Sequence, residues 1–328
     1  MNHIYKGKAL EVLKTFTNEC VDCVVTSPPY WSLRDYGVPG QLGLEPTFQE
    51  YVNKLCGIFS EVHRVLKKGG TCWVNMGDTY GGSWGNYGKR LGKQRQKECK
   101  RYERKGSLPQ DFKPPTTNIL KKSLTLIPQR FAIKMTDNGW ILRNTIIWQK
   151  PNAMPQSAKD RFTNDFEYLY FFVKNRKYYF EQQFEPYTEP LKRWGGDTLE
   201  ADKDIPIASP ESYKWAYRER KLRPNPNGKN KRTVWNISTV SSPELHFATF
   251  PKELIRTPIK AGCPKGGIVL DPFLGSGTTA IVALEEDCNY IGIEINPEYI
   301  EIANKRLAKY REKYSLYEMM EEGSPSTK

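Results

Sequence analysis

The chain has 328 residues, 38% hydrophobic and 27% charged, with a formal net charge of +13. That length suits one large α/β domain with insertions, or two domains. No apolar run approaches the ~18 residues of a membrane span, so no membrane-spanning helix and no membrane partner are expected, while the positive excess favours a polyanionic partner.

Met1-Asn2-His3-Ile4-Tyr5-Lys6 lacks the apolar core of a secretory signal, and the cysteine count of seven is odd. Both point to reduced thiols and a cytoplasmic, nucleoid-associated protein. Val21–Val25 is an apolar run that predicts a buried strand of a parallel sheet. It leads directly into Thr26-Ser27-Pro28-Pro29-Tyr30-Trp31. The two prolines fix φ and lack N–H donors, so the chain must leave the sheet there. The carbonyls of Ser27 and Pro28 then remain as free acceptors beside the Tyr30 ring. Acceptors beside a ring face suit an exocyclic amine on a planar base, which can be hydrogen-bonded and stacked at once. Cys20-x-x-Cys23 has the spacing of half a zinc site, but no second pair follows and the chain has three histidines, so no metal is expected.

Thr47-Phe48-Gln49-Glu50 matches a capping box and opens a helix with the apolar stripe Val52, Leu55, Phe59, Val62 and Leu66. Gly69-Gly70 is expected to end it. A strand over Thr71–Met76 closes at Gly77-Asp78. A glycine-rich, basic stretch follows to about Pro115, read as a long loop, mobile unless nucleic acid is bound. Between Lys89 and Lys105 it carries nine Lys or Arg against two Glu. A helix is predicted near 126–136, stopping at Asn138-Gly139, then strands at Ile141–Gln149 and Phe166–Val173. From about Phe184 to Arg232 the chain is rich in Pro, charge and aromatics with weak periodicity, as in an inserted module. Its part from Lys214 to Arg232 has eight Lys or Arg against one Glu. Basic residues interleaved with rings, such as Trp84, Tyr102 and Trp215, suit phosphate contact and base stacking.

The last third returns to strand–helix alternation: a strand at Gly267–Leu270, a glycine loop, a helix over Thr278–Glu286 and a strand over Tyr290–Ile295. A final helix has Pro297 at its first position, and a polar tail follows from about residue 317. The run Ile268-Val-Leu-Asp-Pro-Phe-Leu-Gly-Ser-Gly-Thr-Thr279 takes a strand through a tight glycine turn into a helix. Gly275 and Gly277 permit positive φ and close approach of a ligand, and the helix start offers unpaired N–H groups. No Lys follows the last glycine, so this is not a phosphate-binding P-loop. Glu294 stands at the tip of the second strand, 17 residues after Gly277. A carboxylate there is the usual acceptor for a ribose diol, so the unit suits a nucleoside cofactor.

Together, Thr26–Trp31 and Asp271–Thr279 resemble the amino-methylating (N4-cytosine or N6-adenine) DNA methyltransferases. Ser27-Pro28-Pro29-Tyr30 matches their catalytic motif and Phe273-Leu274-Gly275-Ser276-Gly277 their cofactor motif. The catalytic motif comes first by about 240 residues, the permuted order of the β subgroup. His246–Pro251 resembles the element covering the methionine end of the cofactor, and Gly292–Asn296 the ribose-binding strand. The resemblance covers most of 1–80, 120–180 and 233–310 and neither basic segment. One departure is Lys6-Gly7-Lys8, where the family often has Gly-Asp or Gly-Asn.

The resemblance implies a doubly wound, mostly parallel seven-stranded Rossmann-like sheet. It implies methyl transfer from S-adenosyl-L-methionine to an exocyclic amine of a flipped base, with Ser at position 27 typical of cytosine-N4 enzymes. The alternatives are adenine N6 or an RNA amine. A protein-glutamine methyltransferase is disfavoured by motif order, and a catalytically silent DNA-binding protein is the non-enzyme alternative. The catalytic candidates are Ser27, Pro28, Pro29 and Tyr30. Cofactor candidates are Asp271, Pro272, Phe273, Gly275, Ser276, Gly277, Thr278, Glu294, Asn296, Thr249 and Phe250, with Asp271 at the methionine part and Glu294 at the ribose. Nucleic-acid candidates are Trp31, Arg34, Lys89, Arg90, Lys93, Arg95, Arg218, Arg220, Lys221, Arg223 and Arg232. Expected partners are double-stranded DNA and, as a candidate, a cognate restriction endonuclease; the chain is expected as a monomer or homodimer. The expected division is 1–183 and 233–316 for the two halves of the catalytic domain, 184–232 for target recognition and 317–328 for a disordered tail.

Overall fold

The structure, a computed structural model, describes residues 2–32, 37–81, 119–186, 225, 227–240 and 250–322. The chain divides into two compact units: residues 1–181 with 233–328, and residues 182–232. In the larger unit, β1 (His3–Lys6), β2 (Val21–Thr26), β3 (Leu66–Met76), β4 (Ile141–Gln149) and β5 (Phe166–Val173) are joined by α1 (Ala9–Leu13), α2 (Phe48–Val65) and α3 (Ile127–Asp137). In the smaller unit, β6 (Phe184–Glu185) pairs with β7 (Lys229–Asn230). The larger unit resumes with β8 (Val234–Asn236), α4 (Lys252–Gly262), β9 (Ile268–Asp271), α5 (Thr278–Glu285), β10 (Asn289–Glu294) and α6 (Pro297–Glu322).

The main sheet has the order β1-β10-β9-β2-β3-β5-β4-β8. Strands from β1 to β3 are parallel neighbours, β5 runs antiparallel to β3 and β4, and the three-residue β8 adds parallel to β4. This is the expected α/β architecture, with eight strands among the described residues rather than seven. Alternation along the strands splits the core between two faces. Val24, Val74 and Phe172 pack with α2 and α3; Cys23, Val25, Trp73 and Phe171 pack with α4 and α5. The connection after β2 therefore covers one face and that after β9 the other, although the two strands are adjacent. Such a point, where neighbouring parallel strands send their chains to opposite faces, opens a crevice at the strands' carboxyl ends.

Local chemistry explains most boundaries. Thr47 caps α2 by accepting from the Glu50 N–H. Asp78 caps α3 from the end of β3, accepting from the Thr125 hydroxyl at 2.6 Å and from the Leu126 and Ile127 amides. Two expectations need correction. Gly69-Gly70 does not end α2; the helix stops at Val65 because Leu66 is already extended and pairs with Val21, and the glycines lie inside β3. The register shifts between Val21 and Cys23, and a side chain on Gly70 would strike Leu66, so the glycine serves a bulge. The last helix runs to Glu322 instead of yielding to a tail near 317. Residues 298–322 hold neither Gly nor Pro, and Gly323 is the first breaker.

Helix α4 presses on β3 through Gly262, whose carbonyl accepts from the Thr71 hydroxyl at 2.9 Å and whose Cβ would lie 2.2 Å from Thr71 Oγ1. Gly262→Ala is therefore expected to destabilise by about 1–3 kcal/mol. A thermal melt checks this, and an unchanged Tm would show that the helix can move aside freely.

Candidate active site

The crevice between β2 and β9 holds a cavity of about 660 Å³, within the range of small-molecule sites. The β2 turn supplies Ser27, Pro28, Pro29 and Tyr30, and the β9 turn supplies Pro272, Phe273, Gly275, Ser276 and Thr278. Glu294 at the end of β10 and Phe250 before α4 also line it. Turns about 240 residues apart in the chain thus share one wall-to-wall space.

A carboxylate joins them. Asp271, almost wholly buried, accepts from the Thr26 hydroxyl at 2.6 Å, the Thr279 hydroxyl at 2.5 Å and the Phe273 N–H at 3.0 Å. Burial pushes its pKa up to about 6, against the lowering effect of those three donors. The expectation that Asp271 holds the methionine end is corrected: it does not line the cavity, and its oxygens are engaged by protein donors behind the wall.

The glycine turn is shaped by a second acid. Glu294 accepts from the Gly275 N–H and the Asn296 N–H, each at 2.8 Å, one on each oxygen. A carboxylate oxygen has two acceptor sites, so each retains one for a ligand. Burial raises the Glu294 pKa, these N–H bonds oppose the rise, and the nearby Asp271 charge adds to it. Gly277 has φ +85° and a Cβ there would meet Ala303 at 2.9 Å, so only glycine serves. Ser276 lines the cavity while its hydroxyl and carbonyl accept from Arg306. Asn296 turns away and caps α6 by accepting from the Glu298 N–H; neither it nor Gly277 lines the cavity.

On the catalytic turn, Tyr51 donates to the Pro29 carbonyl at 2.9 Å. The Tyr30 hydroxyl donates its single proton to Glu167 at 2.6 Å, with the Asn75 side-chain oxygen 3.2 Å away as an alternative acceptor, and Lys150 pairs with the other Glu167 oxygen. Burial, and then the Glu167 charge, hold the Tyr30 pKa well above the phenol range, so it stays a donor. Gly77 allows the ring its place, since a Cβ there would come within 2.8 Å of it. Trp31 was expected at nucleic acid, but its ring is buried against Phe48 and its indole N–H donates to the Glu45 carbonyl at 2.9 Å. It buttresses the turn from the protein side.

Lys150, Glu167, Asn75 and Trp148 line the cavity without having been singled out in the sequence. A charged residue at the start of the aromatic strand Phe166–Val173 was the available signal. Arg232, in the smaller unit, pairs with Glu185 at 2.5 Å. Arg34, Lys89, Arg90, Lys93, Arg95, Arg218, Arg220, Lys221, Arg223 and Thr249 lie outside the described residues. Among the described residues no helix is long and apolar enough to cross a membrane, and no group of three acidic, His or Cys side chains could hold a metal ion.

A βαβ glycine turn beside a Ser-Pro-Pro-Tyr turn at a switch point defines a nucleoside-cofactor transferase. Residues 21–305 match the DNA methylase family whose members methylate at N6 or N4. The chain belongs to that family. It is 41% identical over 304 residues to the type II methyltransferase M.Cfr9I of Citrobacter freundii, covering 93% of this chain and 87% of the relative. It is 39% identical to M.SmaI of Serratia marcescens, covering 94% and 91%. A proposed DNA modification methylase of Thermus thermophilus, solved with S-adenosyl-L-methionine, shares the fold with TM-score 0.55 at 22% identity, covering 94% of each chain. The PvuII DNA methyltransferase shares it with TM-score 0.54 at 20% identity, covering 93% and 86%.

The Asp271 pKa carries a sign. The folded value of about 6 lies above the ordinary 3.8, so the native state binds the proton more tightly, and that stability is present below about pH 4 and lost as pH rises through 6. Asp271→Asn removes the titration. Relative to wild type, the variant's Tm is expected to improve from pH 4 to pH 7, for a span of up to about 3 kcal/mol. A difference that stays flat with pH would contradict the assignment.

Proposed function

We propose that this chain is a site-specific type II DNA methyltransferase that methylates the exocyclic N4 of a cytosine flipped out of duplex DNA. The observation that carries the reading is the Thr26–Asp271 hydrogen bond at 2.6 Å, which ties the Ser-Pro-Pro-Tyr turn to the glycine turn beside one cavity.

S-adenosyl-L-methionine, the methyl donor of the family, supplies an activated methyl group on a sulfonium. The residues fit it. The free acceptor sites of Glu294 suit ribose hydroxyls. Gly275 lets the backbone come close, while Phe250 and Phe273 give apolar walls. Asp271 acts on the cofactor side as a brace rather than a ligand.

The amine of a base is a poor nucleophile, because its lone pair is delocalised into the ring. The Ser27 hydroxyl and the Pro28 carbonyl accept its two hydrogens, bias the nitrogen toward tetrahedral geometry and stabilise the positive charge that develops. Tyr30 stacks on the extruded base, and about 1–3 kcal/mol of stacking offsets much of the cost of flipping. Alignment does most of the work, since the methyl is already activated. Ser27 favours cytosine, because the family's adenine enzymes typically carry an acidic or amide side chain there.

The basic stretch from Lys89 to Lys105 tracks phosphates, with Lys89, Arg90, Lys93 and Arg95 among its contacts. Residues 184–232 read sequence in a groove through Arg218, Arg220, Lys221, Arg223 and Arg232, and Arg34 is a further nucleic-acid contact. A cognate restriction endonuclease is the corresponding partner activity.

Incubation with duplex DNA and labelled S-adenosyl-L-methionine, followed by digestion and mass spectrometry, is expected to yield N4-methylcytosine. N6-methyladenine alone rejects the base assignment, and label on RNA alone rejects the substrate. Ser27→Ala should lower kcat about 10²-fold with little change in cofactor binding. Replacing several cations between Lys89 and Lys105 should weaken binding to all sequences and flatten its salt dependence; a changed recognition site would instead move sequence reading there.

A further inference from the structure

The connection between β4 and β5, residues 150–165, stands beside the cavity. β3 and β4 each run antiparallel to β5, and β2 runs parallel to β3. The ends of β2, β3 and β4 therefore lie at one edge of the sheet. Both feet of the connection belong to the cavity wall, since Lys150 and Glu167 line it. Asn152 holds the backbone of Thr239, a further lining residue. It accepts from the Thr239 N–H at 2.8 Å and donates to the Thr239 carbonyl at 2.9 Å.

The connection is fastened at several points. The Lys150 N–H donates to the Asp165 carbonyl at 2.7 Å and closes its base. Arg161 donates to Gln156 at 2.6 Å, joining the two limbs, and lies over the Tyr80 ring, 4.2 Å from its centroid. Asp160 pairs with Lys122 at 2.6 Å, and Asn164 accepts from the Tyr80 hydroxyl at 3.2 Å. Amid these ties the Phe162 side chain is left 96% exposed. It stands five residues before Glu167. Five residues span at most about 18 Å, so the ring is held close to the cavity rim.

A single exposed apolar side chain is ordinary. This one is set apart by its surroundings: its neighbours on both sides are pinned while the ring itself is left in water. The segments tied together here also carry Lys121, Lys122, Lys159 and Arg161 against Asp160 and Asp165. That excess of cations suits a phosphate backbone. Extruding a base leaves a gap in the duplex and unstacks its neighbours. Apolar side chains enter such steps as wedges, and a flat aromatic ring also restores stacking. Met154, 82% exposed on the other limb, has no flat face to stack. We propose that Phe162 is the wedge that enters the duplex and fills the place vacated by the flipped base. The proposal rests on the methyltransferase reading, and adds to it the residue that stands in the emptied stack.

The test uses the full chain and a duplex whose methylated position has been located by sequencing the product. Phe162→Ala, Phe162→Trp and Met154→Ala are compared with wild type in single-turnover methylation at saturating S-adenosyl-L-methionine. Phe162→Ala is expected to lose about tenfold or more in rate on the paired duplex, the size of one lost stacking contact. The loss should shrink to about twofold or less when the target base is mismatched, because an unpaired base costs less to extrude. With 2-aminopurine at the target position, Phe162→Ala should give a weaker flipping signal, and Phe162→Trp should restore both signal and rate. Cofactor affinity should stay within about twofold and the melt unchanged, since the side chain lies in water. A Phe162→Ala enzyme as fast as wild type on the paired duplex overturns the proposal, as a ring reserved for a protein partner would give. An equal loss on paired and mismatched duplexes, or a loss confined to Met154→Ala, overturns it as well. A wild-type protein that methylates no DNA overturns the underlying reading instead.

Discussion

One buried carboxylate sets the geometry on which the rest depends. Asp271 ends β9, one strand away from the end of β2, and its side chain bonds to the residue before the Ser-Pro-Pro-Tyr turn and to the helix after the glycine turn. Burying a carboxylate carries a desolvation cost of several kcal/mol. The three donors around Asp271 offset much of that cost. They also make the arrangement discrete: a displaced turn would leave a buried acceptor unmatched. The separation of the two turns is thereby held by hydrogen-bond lengths rather than by loop packing.

The same pattern recurs around the cavity. Glu294 is satisfied by two backbone N–H groups and Glu167 by Lys150 and Tyr30. Glu45, also buried, is satisfied by the Gly43 N–H and Lys54. Each acid fixes the path of a loop or the direction of a side chain. The groups proposed to touch the base itself are neutral: a hydroxyl, a carbonyl and an aromatic ring. That division suits transfer of an already activated methyl group, where placement governs the rate more than proton transfer does.

Sequence periodicity placed the central elements well, because buried strands and amphipathic helices announce themselves in apolar spacing. Val21–Thr26, Ile141–Gln149 and Phe166–Val173 follow from it directly. It missed β1, α1, β8 and α4. The first three are five residues or fewer and carry too few turns of pattern; α4 contains Pro258, a helix breaker on local grounds that tertiary packing overrides. Gly69-Gly70 misled for a related reason, since glycines that look like a helix stop serve a strand bulge here.

At the candidate site, the linear order of residues was enough to name the two turns, because prolines and glycines restrict the backbone wherever they occur. It was enough to name Ser27, Tyr30 and Glu294 as groups at strand ends. Only the folded chain decided that Asp271 braces the wall instead of facing the cavity, that Trp31 packs inward, and that Lys150 and Glu167 complete the surroundings of Tyr30. Those are relations between residues on different strands, fixed by sheet order and burial, and no local spacing in the chain records them.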